Sequence, residues 1–129
     1  MEYKRLKLKY FADPRGEITV MEDDSLPFKV KRIFVIHHKS GMRGNHAHRE
    51  LEQMLVCLRG SLSLSLMNRD FTIQLRVENS EYAIYIPPMT WTDLTDIEKG
   101  TIVLVLASEE YETVDYIGDK AEFLKLIGR

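Results

Sequence analysis

The chain alternates hydrophobic and polar residues with period two along most of its length. Leu62, Leu64 and Leu66 alternate with Ser61, Ser63 and Ser65, and Phe71, Ile73, Leu75 and Val77 alternate with Thr72, Gln74 and Arg76. Successive side chains of a strand point to opposite faces, so this spacing predicts half-buried strands. Val30 to Ile36, Leu51 to Leu58, Tyr82 to Ile86 and Thr101 to Ala107 are more continuously apolar, which predicts interior strands. Turn signals separate these runs: Asp13-Pro14-Arg15-Gly16, Ser40-Gly41, Arg59-Gly60, Asn68-Arg69-Asp70, Asn79-Ser80, Pro87-Pro88 and Lys99-Gly100. Only the end of the chain reads as a helix. Asp119 is placed to cap Lys120 to Ile127, with Ala121, Phe123, Leu124 and Ile127 on one face. Many short strands at regular spacing predict an all-β antiparallel sandwich or barrel. Residues 1–129 carry no internal repeat, linker or low-complexity segment and are expected to form one domain.

Composition narrows the function classes. At 44% hydrophobic residues the chain can build an ordinary core, and a net charge of −2 does not mark it as a nucleic-acid binder. The single cysteine, Cys57, lies in an apolar run and is expected to be a buried structural thiol. It has no intrachain disulfide partner, which fits a reducing cytoplasm. The first residues, MEYKRLKLKY, alternate charge with bulk and lack the apolar core of a signal peptide. No apolar stretch is long enough to span a membrane as a helix.

The chemistry concentrates in the histidines. All 4 fall between positions 37 and 48. His46 and His48 sit in Arg43-Gly44-Asn45-His46-Ala47-His48-Arg49, and on an extended strand both rings point to one face and Ala47 to the other. Paired imidazoles flanked by arginines suit metal ligation or proton transfer, because imidazole both accepts and donates a proton near neutral pH.

A histidine pair of this spacing resembles the core of the cupin barrel. Gly41, His46, His48, Glu52 and Gly60 resemble the first cupin motif. The second would be Pro87-Pro88-Met89-Thr90-Trp91-Thr92, where the cupin's third histidine falls on Thr92. Threonine is a poor transition-metal ligand, which leaves His46, His48 and Glu52 at best and favours acid–base chemistry without a metal.

Further segments resemble one cupin family, the nucleotide-sugar 3,4-ketoisomerases acting on dTDP-4-keto-6-deoxyglucose. These are Asp13-Pro14-Arg15-Gly16, Pro27-Phe28-Lys29-Val30-Lys31-Arg32, the Arg43–Arg49 run, Tyr85-Ile86-Pro87-Pro88 with Trp91, Leu104-Val105-Leu106-Ala107-Ser108, and Asp115-Tyr116-Ile117. The resemblance implies a cupin jelly roll with a short C-terminal helix and a reaction without cofactor or metal. A base removes the C3 proton beside the C4 ketone, and reprotonation at C4 leaves the ketone at C3. His46 is then expected to be the base, with His48 orienting it or delivering the proton; the two roles are interchangeable. Arg43, Arg15, Arg32, Gln53 and Trp91 are the expected substrate contacts. The resemblance further implies a homodimer with exchanged N-terminal strands, drawn from the charged segment Tyr3 to Phe11.

The chain departs from this family in the strand before the histidine loop. The family carries tyrosines there; this chain has Ile33-Phe34-Val35-Ile36-His37-His38. His37 and His38 are expected to be exposed loop residues. A cupin 3,5-epimerase, a non-catalytic nucleotide-sugar-binding barrel and a metal-dependent dioxygenase are the competing readings.

Overall fold

A computed structural model describes residues 1–78 and 81–129, so the turn expected at Asn79-Ser80 lies outside the described residues. The strands are β1 (Lys4–Lys7), β2 (Lys9–Asp13), β3 (Gly16–Val20), β4 (Arg32–His37), β5 (Arg43–His48) and β6 (Gln53–Arg59). They continue as β7 (Leu62–Met67), β8 (Thr72–Val77), β9 (Tyr82–Ile86), β10 (Trp91–Thr95), β11 (Ile102–Ala107) and β12 (Tyr116–Ile117), followed by the helix α1 (Lys120–Leu126).

Two five-stranded sheets face each other, one in the order β1-β9-β6-β11-β4 and the other β12-β5-β10-β7-β8. Neighbouring strands pair antiparallel throughout. This is the cupin jelly roll that the strand pattern and the histidine motif predicted. Leu62, Leu64 and Leu66, at 0–1% exposure, project between the sheets and meet Leu55, Ile84, Leu94, Val103 and Val105. Each such side chain contributes about 2 kcal/mol by leaving water. Met54, Val56, Ala83, Tyr85 and Leu106 form a second core on the outer face of the first sheet, and Leu26, Phe28 and Val30 pack against it.

Three local expectations change. Most of the apolar run Val30 to Ile36 falls in β4, which is an edge strand rather than an interior one: among the described residues it pairs with β11 alone, and Ile33 and Val35 are exposed. The N-terminal segment Tyr3 to Phe11 divides at the buried Leu8. β1 joins β9 of the same chain, while β2 and β3 form a separate hairpin. In α1, Asp119 accepts hydrogen bonds from the Ala121 and Glu122 amides, as a helix cap should. Phe123 and Ile127, four residues apart, are buried together, but Ala121 lies on the exposed side.

Candidate active site

β5 places the site at one end of the space between the sheets. Directly opposed residues of an antiparallel pair share a face. Thr92 stands opposite His46 and Leu94 opposite Arg43, so both β5 residues look inward. The inter-sheet cavity there, about 350 Å³, is lined by Arg43, His46, Gln53 and Thr92 against an apolar wall that includes Leu55 and Val105. His48 points to the same face of β5 and lines an adjoining cleft of about 310 Å³ with Arg32, Tyr111 and Asp115. The two imidazoles meet edge to face with centroids 5.0 Å apart. The pair therefore stands between two hollows, one on each side.

β12 supplies what the rings pack against. Tyr116 is the cross-strand partner of His48 and stacks on the His46 ring at 4.9 Å, with an interplanar angle of 18°. Asp115 Oδ2 accepts from His48 Nδ1 at 3.1 Å. The same carboxylate accepts the Glu50 amide at 2.7 Å and the Leu51 amide at 3.4 Å, and the Arg49 amide bonds the Asp115 carbonyl. This clamp fixes the tautomer of His48: with Nδ1–H given to Asp115, the lone pair is left on Nε2. Burial lowers the His48 pKa to about 4, and the neighbouring His46 adds to that shift. Asp115 opposes it without overcoming it, so the ring is neutral at physiological pH.

Arg32 lies close enough for its charge to depress His48 further. Its guanidinium sits over the Phe34 and Tyr111 rings, and its Nε is buried without a hydrogen-bond partner among the described residues. His46 Nδ1 is likewise buried and unpartnered. His38 Nδ1 and Trp91 Nε1, away from the histidine pair, are in the same state, so it is the histidines' geometry and not these nitrogens that marks the site.

Of the residues expected from sequence, His46, Arg43 and Gln53 line the inter-sheet cavity, and His48 and Arg32 line the adjoining cleft. Arg15 and Trp91 line neither. Arg15 sits at the tip of the β2–β3 hairpin, 90% exposed, in an ion pair with Asp13. Trp91 is 3% exposed on the opposite face of the second sheet, packed on Phe123 at 5.5 Å. Glu52 also misses the histidines: it accepts the Tyr85 hydroxyl at 2.5 Å, and Tyr85 belongs to the outer core of the other sheet. The Thr92 hydroxyl donates to the Thr90 carbonyl. Among the described residues, no three His, Cys, Asp or Glu side chains are grouped to hold a metal. His37 is exposed as expected, but His38 is buried at 7% because its backbone bonds the Thr101 carbonyl and the Gly100 amide. Asp115 and Tyr116 belong to a segment that resembles the family, but neither carries a signal in the sequence that assigns it a role. Their contact with β5 is a pairing between distant parts of the chain that no local pattern encodes.

The molecule is thus a cupin whose histidine pair is backed by a carboxylate and flanked by arginines. The family described as FdtA: WxcM-like, C-terminal, matches residues 1–128, and the chain belongs to that family. It is 33% identical to TDP-4-oxo-6-deoxy-alpha-D-glucose-3,4-oxoisomerase of Aneurinibacillus thermoaerophilus, covering 100% of this chain and 95% of that protein. The crystal structure of a 3,4-ketoisomerase from Helicobacter canadensis superposes with a TM-score of 0.92 at 32% identity, over 100% of this chain and 99% of that one. A histidine-to-asparagine variant of the 3,4-ketoisomerase QdtA from Thermoanaerobacterium thermosaccharolyticum was solved with TDP-4-keto-6-deoxyglucose. It superposes at 0.91 with 32% identity, over 97% of this chain and 93% of that one.

Proposed function

We propose that this chain is a nucleotide-sugar 3,4-ketoisomerase that moves the ketone of dTDP-4-keto-6-deoxyglucose from C4 to C3, a step that prepares the sugar for amination at C3. The observation that carries the catalytic assignment is the His48–Asp115 pair: a neutral imidazole with its free nitrogen fixed by a carboxylate and a guanidinium beside it. This favours the reverse of the roles first expected for the two histidines.

His48 Nε2 takes the C3 proton, which the adjacent ketone acidifies. Negative charge moves to O4, and Arg32, whose charge already acts on His48, stabilises that enediolate. The His48 imidazolium then returns the proton to C4 while O3 passes its own to O4, which leaves a carbonyl at C3 and a hydroxyl at C4. C3 is oxidised and C4 reduced within one molecule, so the electron balance needs no external acceptor. Asp115 stabilises the imidazolium formed on the way. His46, edge-on to His48, relays protons between the oxygens. Arg43, at the cavity mouth, binds the diphosphate, and Gln53 holds a sugar hydroxyl. The enzyme works in the cytoplasm as a homodimer. Because β1 is the end strand of its sheet, a partner's β1 could occupy the same β9 edge with the same register.

The test incubates the purified protein with dTDP-4-keto-6-deoxyglucose in D2O and follows the product by NMR. The expected product carries its ketone at C3. Deuterium at C3 or C5 with the ketone still at C4 identifies an epimerase instead and removes this reading. Binding without any exchange leaves a non-catalytic barrel. A gel-filtration mass of one chain would refute the dimer.

A further inference from the structure

We infer that Asp93 is a positioning residue for catalysis: by holding a bulge in β5 it aims both His46 and Arg43 into the cavity. This deepens the ketoisomerase reading and rests on it.

Strand parity alone would separate the two side chains. His46 and Arg43 are three residues apart, and on a regular strand an odd spacing sends two side chains to opposite faces. Both nevertheless line the inter-sheet cavity. The register explains how. Thr92 pairs with His46, but the next residue, Asp93, pairs with Gly44, so Asn45 is an extra residue with no partner on β10. One extra residue on one strand is a β-bulge, and it reverses the alternation beyond it.

The bulge is built from two residues of positive φ, Gly44 at 98° and Asn45 at 62°. A Cβ at Gly44 would collide with the Thr92 carbonyl oxygen, so glycine is required by space as well as by φ. Asn45 is among the few side-chain types that tolerate this region. Its backbone amide has left the ladder, and the Asp93 carboxylate takes it over: Asn45 N donates to Asp93 Oδ1 at 3.0 Å. Asp93 lies on the outer face, opposite Gly44, and does not line the cavity. It therefore acts only through the backbone. Without it, the Asn45 amide needs a new acceptor, and the simplest one is a regular ladder that turns Arg43 away from the site.

Three proteins test this: the wild type, Asp93→Ala and Asp93→Asn. The amide oxygen of asparagine can still accept from Asn45, whereas alanine cannot. Ketone migration gives kcat and KM, and the His46 ring protons are read by NMR in the substrate-free protein, where the stacked Tyr116 imposes a ring-current shift. Asp93→Ala is expected to lower kcat on the order of 100-fold, the cost of a small misplacement of reacting groups, to raise KM through Arg43, and to move the His46 signals. Asp93→Asn is expected to recover most of the rate and the wild-type His46 signals. Equal losses in both variants, or Asp93→Ala with unchanged kcat and unchanged His46 signals, overturn the inference. A drop in melting temperature with those signals intact assigns Asp93 a purely structural role and overturns it too. If Asp93→Ala does not fold, the comparison rests on Asp93→Asn, and displaced His46 signals in that variant are the overturning result. If the wild type moves no ketone, the ketoisomerase reading falls separately, and the His46 signals alone decide the role of Asp93.

Discussion

The two faces of β5 are built to opposite standards. On the outer face Ala47 is sealed, 1% exposed, in a small core with Trp91, Ile117, Phe123 and Ile127. On the inner face His46 and His48 border open hollows. One strand, through its period of two, thus carries a close-packed anchor and an open site on alternate residues. The comparison teaches how a thin domain keeps reactive rings in place. The rings belong to the same backbone that the outer core immobilises, so rigidity is supplied from behind, where it does not obstruct the substrate.

Substitutions on the two faces should separate rate from stability. The largest expected effect is on the inner face: His48→Asn lowers kcat on the order of 10³-fold while the unfolding midpoint stays near wild type. A larger loss in His46→Asn than in His48→Asn would return the base to His46. On the outer face, Phe123→Ala costs about 3–5 kcal/mol of stability in urea titration, with kcat per folded molecule close to wild type. A rate loss without a stability loss there would show that the faces are not separable.

The smallest expected effect joins them. The folded pKa of His48, about 4, lies below its ordinary value, so between the two the unfolded chain binds the proton first. Above pH ~6.5 this difference costs the fold nothing; as the pH drops toward 4 the unfolded chain gains by binding the proton, and stability falls by at most about 3 kcal/mol. His48→Asn should flatten that part of the stability–pH curve. A curve identical in variant and wild type would mean that His48 is not desolvated in the folded protein.

Much of this was legible in the sequence because period two is a direct image of a half-buried strand. The Leu62–Leu66 alternation and the shared face of His46 and His48 follow from it. Where a strand is apolar on both faces, the image is lost. In Leu51 to Leu58 nothing shows whether Glu52 or Gln53 turns inward, and the structure sends Gln53 in and Glu52 to Tyr85. The same ambiguity hid the face of Trp91. β4 read as interior because Ile33 and Val35 are apolar, yet their outward face is uncovered. The bulge at Asn45 breaks the period itself, and Asp115 reaches His48 across 67 positions of sequence. Pairings of that range depend on the whole topology and leave no local mark.

The placement of Trp91 turns the protein into its own optical instrument. It is the chain's 1 tryptophan, it is buried, and it touches Phe123 of α1 from the sheet that carries β5. Its emission therefore reports whether the C-terminal helix is seated. A red shift that precedes loss of the sheet's circular dichroism on heating would time the release of α1 separately from collapse of the barrel. The same signal, followed during turnover, would tell whether the back of the active-site strand stays still while its front does chemistry.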